Sequence, residues 1–85
     1  MRAIKEARKF IAKKSDDPSA QVLARLVLAL ENESDFPMSD IYKLDLERFQ
    51  LALNILQEWR LDRYYAGKGR LFDISLQAIE IHQPD

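Results

Sequence analysis

Between residues 46 and 59, Leu46, Phe49, Ala52, Leu53, Leu56 and Trp59 recur at steps dominated by three and four. That period is the period of a helical turn, and it rejects the two-residue alternation of a half-buried strand. Leu51 and Ile55 widen the stripe. The same spacing appears near the start of the chain. Ala3, Ile4, Ala7, Phe10 and Ile11 share one side of a helix predicted over 3–14, while Arg2, Lys5, Arg8, Lys9 and Lys13 occupy the other. Lys13 and Lys14 fall in its last turn, where the helix dipole favours cations.

A second helix follows "SDDP". Asp17 is the cap and Pro18 the first helical residue, where a missing N–H costs nothing. Its sequence, "PSAQVLARLVLALE", is apolar nearly all round, with Arg25 its only charge before Glu31. A helix apolar on every face belongs at the centre of a core or in a subunit interface. A chain of 85 residues has few elements to surround it. The expectation is therefore a homodimer through residues 20–30.

"NESDFPMSD" is a loop broken by Pro37. Ser39 is one candidate cap, for a single helix running to Tyr65. Asp45 is the better one, because it sets Leu44 and Phe49 as a hydrophobic staple and Glu47 in the first turn. "SDIYKL" is then a short separate turn of helix. "AGKG" closes the third helix, since glycine takes the left-handed conformation at low cost. Beyond it, Phe72, Ile74 and Leu76 alternate with polar residues as in a strand. No other segment offers a strand to pair with, so a short helix using Phe72, Leu76 and Ile79 is preferred. The fold class is mainly α: a single small domain over 1–85, a three- to four-helix bundle with residues 71–81 a short helix or a lone edge strand.

Composition narrows the functions. An apolar fraction of 47% and a charged fraction of 32% argue against wholesale disorder. The absence of cysteine removes disulfides and thiolate zinc sites. "MRAIKEARKF" has no apolar core of a signal peptide, and no apolar run reaches membrane-spanning length, so a cytoplasmic location is expected and no membrane partner. The net charge of −1 disfavours a strongly basic nucleic-acid binder. Charge is nevertheless segregated, with six cations and one acid in residues 1–14, and three cations and eight acids in 15–57. The simplest expectation is that these blocks complement one another within the fold.

No catalytic constellation is visible. His82, the sole histidine, reads as a tail residue rather than a base, and one histidine without cysteine excludes the usual transition-metal sets. Gly67 and Gly69 lack the spacing of phosphate-binding loops. The acids Asp16, Asp17, Glu31, Glu33, Asp35, Asp40 and Asp45 follow no calcium-loop pattern and read as caps and loop solvation. No cofactor, metal or enzymatic activity is expected.

Two candidate surfaces remain. The basic face of the first helix has three readings: anionic membrane, nucleic acid, or a solvated exterior, of which the last is favoured. "WRLDRYYAGKGR", residues 59–70, gathers Trp59, Arg60, Arg63, Tyr64, Tyr65, Lys68 and Arg70. Arg60 continues the positions of Leu53 and Leu56, and Arg63 those of Leu56 and Trp59. A structural account invokes helix dipole, arginine stems on apolar surface, Arg63 stacked on Trp59, and Glu58 and Asp62 as counter-charges. A recognition account notes that Trp, Tyr and Arg dominate binding hot spots. The expected function is a non-catalytic protein-interaction or regulatory module using this patch. The alternative is nucleic-acid binding through Arg2, Lys5, Arg8, Lys9 and Lys13, with the patch as stacking surface.

Overall fold

A computed structural model describes the backbone of residues 2–61 and 66–82 and, within these, all side chains except those of residues 60, 61, 66–69 and 82. Among the described residues the chain is a bundle of helices: α1 (Arg2–Lys13), α2 (Pro18–Asn32), the one-turn α3 (Met38–Ile41), α4 (Leu46–Leu61) and α5 (Ala66–His82). No strand occurs among them.

Two of the predicted starts are made as the sequence implies. The Asp17 carboxylate accepts the N–H of Ser19 at 2.8 Å, with Pro18 opening α2. The Asp45 carboxylate accepts the N–H of Arg48 at 2.8 Å, so α4 begins after Asp45 and Ser39 lies inside α3. Leu44 is buried behind this start and Phe49 packs on the same core. At its far end α2 stops at Glu33, a left-handed residue (φ 53°) whose N–H returns to the Ala29 carbonyl.

α2 and α5 form the centre, and α1 packs against both. Ala20, Leu23, Ala24 and Val27 are buried on one side of α2, and Val22, Leu26 and Ala29 on the other. This burial is met inside one chain. The all-round apolarity of α2 therefore gives no reason for a dimer through residues 20–30.

Three expectations are corrected. First, residues 71–81 form the preferred helix, but its buried positions are Leu71, Ser75 and Ala78, with Ile74 and Ile79 flanking and Phe72 half-buried, whereas Leu76 is exposed. A strand would have lacked partners, whereas a helix closes its own hydrogen bonds. Second, "AGKG" does not end a helix: Gly67 and Gly69 lie in the first turn of α5, and no described glycine has positive φ. Packing below them, from Leu71 onward, outweighs their poor helix propensity of about 1 kcal/mol each. The reading that carried the third helix to Tyr65 falls on residues 62–65, outside the described ones. Third, the inward side of α4 is Leu51, Ala52 and Ile55, whereas Leu46 and Leu53 are exposed.

Candidate functional site

The inner and outer sides of α4 have different tasks. Leu51, Ala52 and Ile55 enter the core, and Phe49, Leu56 and Trp59 flank it. Two charged side chains of α4 also serve the α1 contact. Glu58 accepts the N–H groups of Ala3 at 2.8 Å and Ile4 at 3.1 Å, and the Arg48 guanidinium lies 4.1 Å over the Phe10 ring. Pairing 58 with 3 and 48 with 10 makes the two helices antiparallel.

About half a turn from Ile55, the outer side presents Leu46 and Leu53, which are 84% and 38% exposed. The Tyr42 ring, 75% exposed, lies 6.1 Å from that of Phe49 at the upper end of this side. Leu46, Phe49, Leu53 and Leu56 therefore make an outward row at helical spacing. The fold buries fully none of its four members. Met38 is a further exposed apolar side chain, in α3.

The patch read from the sequence is only partly described. Trp59 is half-buried against the core, which favours a structural task for it. Arg70 is exposed on α5. The side chains of Arg60 and Lys68, and all of Arg63, Tyr64 and Tyr65, lie outside the described residues, as does any stacking of Arg63 on Trp59. The Glu58 carboxylate, read as a counter-charge for the patch, accepts two amides of α1, and its relation to Arg60 and Arg63 lies outside the described residues. Leu53, from which the register of Arg60 was read, is not a core position.

On α1, Ala3, Ile4, Ala7 and Ile11 are buried, and Arg2, Lys5, Lys9 and Lys13 form an exposed row on the opposite side; Arg8 is half-buried. Among the described residues none of these five cations has an acid within ion-pair distance. Among the described residues no ion pair joins the basic block of residues 1–14 to the acidic block of residues 15–57. The ion pairs that do form stay within residues 25–48: Asp40 with Lys43 at 2.9 Å and with Arg25 at 3.9 Å, and Arg48 with Glu47 at 3.0 Å. Since the apolar side of α1 is spent in the core, it has nothing to insert into a bilayer. Among the described residues no helix is long and apolar enough to cross a membrane.

The acids have structural occupations. Asp17 and Asp45 cap helices, Asp40 joins α2 to the α3 turn through Arg25 and Lys43, and Glu58 caps α1. Among the described residues no three acids or histidines converge as a metal site. A recess of about 280 Å³ beside the 33–37 loop is lined by Arg25, Leu28, Phe36, Pro37 and Asp40. Its arginine and Asp40 already face one another. The helical backbone of α5 runs to His82, its last residue.

Sequence reasoning missed the contacts of Arg48, Glu58 and Gln21 and the exposure of Leu46 and Leu53. Gln21 donates to the carbonyls of Ser15 at 2.7 Å and Ala78 at 3.2 Å, tying α2 to α5. No local signal marks such partners, because each depends on a residue far along the chain. No protein family matches this chain, and no characterised protein or solved structure is similar to it.

Proposed function

We propose that this chain is a non-catalytic interaction module, acting in the cytoplasm, that binds a protein partner through the outward row of α4. The observation that carries the reading is the exposure of Leu46 and Leu53 on the most regular apolar stripe of the sequence. Single exposed leucines are commonplace, but two of them two turns apart on one helix, with half-buried Phe49 and Leu56 beside them and an exposed tyrosine at one end, make a surface of the kind partners cover. Arg60, Arg63 and Arg70, with Trp59, Tyr64, Tyr65 and Lys68, are proposed to extend this surface with cations for carboxylates and aromatic area. The non-catalytic part is supported by the occupation of Asp17, Asp40, Asp45 and Glu58 in structural contacts. The test is affinity capture from lysate with wild type beside Leu46→Glu/Leu53→Glu. Loss of a captured protein in the variant, with the fold intact by circular dichroism, supports the reading; identical capture by both refutes it.

A second reading is favoured by the row of Arg2, Lys5, Lys9 and Lys13, which lacks ion-pair partners among the described residues. Their positions at steps of three and four place a cation about every 4.5–6 Å along α1, a spacing suited to a phosphate backbone. Fluorescence anisotropy with a labelled single strand decides it. Binding that weakens steeply with salt and is lost in Lys5→Glu/Lys9→Glu supports nucleic acid. No binding at low salt ends it.

A further inference from the structure

The most regular apolar stripe in the sequence is divided by the fold: Ala52 is buried, Phe49, Leu56 and Trp59 pack on the edge of the core, and Leu46 and Leu53 are left outside. From Leu46 to Leu56 it runs for about 15 Å along the helix axis. Among the described residues α4 packs chiefly on α1, while α1, α2 and α5 pack on one another. From Phe49 to Gln57 α4 carries no charge at any position. Around the leucines its polar side chains are amides: Gln50 and Gln57, which are exposed, and the half-buried Asn54.

We infer that this face receives a second copy of the chain, α4 against α4, antiparallel about a two-fold axis near Leu53. The inference rests on the reading of the outward row as a binding surface, and it names the occupant. The charge pattern selects it. A two-fold axis sets each face against itself, so any charge near the axis meets its like. Nine uncharged residues remove that repulsion. A face built for a strongly charged partner would carry the complementary sign along its middle, whereas the charges of α4 flank the uncharged stretch, Glu47 and Arg48 before it and Glu58 and Arg60 after it.

The amides point the same way. Glutamine and asparagine each donate and accept, so identical side chains pair across an axis as lysines or glutamates do not. Gln50 already donates to Asn54 at 3.1 Å on this face. With the helices antiparallel, Leu53 meets its counterpart near the axis, Gln50 of each copy lies level with Leu56 of the other, and Leu46 falls level with position 60. Tyr42 then adds aromatic area at the rim, a residue type enriched in interfaces.

The cysteine-free chain allows a direct test. Leu53→Cys places one thiol beside the proposed axis, and Glu31→Cys places one on an exposed position of α2 as a control. Sedimentation equilibrium from low to several hundred micromolar is run on wild type and on Leu46→Glu/Leu53→Glu. The expected results are a wild-type dimer, a monomeric double variant, and disulfide-linked dimer forming many-fold faster for Leu53→Cys than for Glu31→Cys under mild oxidant. A wild-type monomer throughout, a dimer that survives the double substitution, or equal cross-linking rates would overturn the inference. If the double variant fails to fold, wild-type sedimentation and the two thiols decide. A monomer that captures a lysate protein through Leu46 and Leu53 sinks the second copy but keeps the surface; a monomer that captures nothing sinks both.

Discussion

The Glu58 carboxylate receives the Ala3 N–H at 2.8 Å, across 55 residues of sequence. α1 opens with Arg2 and has no acid in its first turn, so its dipole is met from another helix. Arg48 over Phe10 repeats the connection toward the other end of α1. Held by charge at two points and by Leu51, Ala52 and Ile55 between them, α4 is fixed to α1 along one side. The opposite side is left for Leu46 and Leu53.

Removing the Glu58 carboxylate leaves two amides of α1 without their acceptor. Glu58→Ala is expected to cost about 1–3 kcal/mol, the range for a charge-assisted contact at a helix start. Urea unfolding gives the magnitude. Hydrogen exchange places it, with the Ala3 and Ile4 amides losing protection first.

The aspartate caps are independent of that contact. Asp17→Ala and Asp45→Ala are each expected to lower stability by about 0.5–2 kcal/mol. Asp17→Ala should cost more, because its hydrogen bond is partly buried and that of Asp45 is exposed. Equal midpoints for variant and wild type would contradict the capping role.

Glu33 occupies a conformation that strains a side chain bearing a Cβ. Glu33→Gly removes that strain, offset in part by the greater freedom of glycine in the unfolded chain. The net expectation is stabilisation of up to about 1 kcal/mol, read from the urea midpoint. A lower midpoint would show that the Glu33 side chain makes a contact worth more than the strain.

Ser75 is fully buried on the inner side of α5, and its hydroxyl has no partner among the described residues. Burying an unpaired hydroxyl costs about 1–3 kcal/mol. Ser75→Ala keeps the small volume between Leu71 and Ala78 and is expected to raise stability by about 1 kcal/mol or more. A destabilised alanine variant would reveal a hydrogen bond to this hydroxyl in solution.

Much of the helical plan could be read from the sequence, because periodicity and caps are local. Asp17 with Pro18, and Asp45 with Leu44 and Phe49, mark their helices with residues a few positions apart. The inner side of α5 escaped because its central residues, Ser75 and Ala78, are small and one is polar; apolar spacing alone pointed to Leu76, which faces out. The stripe of α4 misled for the converse reason. Leucines occupy most of its circumference, so spacing could not tell Leu53 from Ile55, and only the position of α1 divides them. Glu58 and Arg48 earned no notice as binding groups because their partners lie far away in sequence. Of the two residues whose positions Arg60 continues in the 59–70 patch, Leu53 is exposed and Leu56 packs against the core.

The central claim is that α4 has one side that holds the fold and another that does not. Urea unfolding of Ile55→Ala beside Leu53→Glu, at the lowest protein concentration that gives a signal, tests it directly. Ile55→Ala is expected to cost about 2–5 kcal/mol through the cavity it leaves, and Leu53→Glu under about 1 kcal/mol, as for other surface changes. If Leu53→Glu proves as damaging as Ile55→Ala, or Ile55→Ala is harmless, the division of α4 into a core side and a free side is wrong.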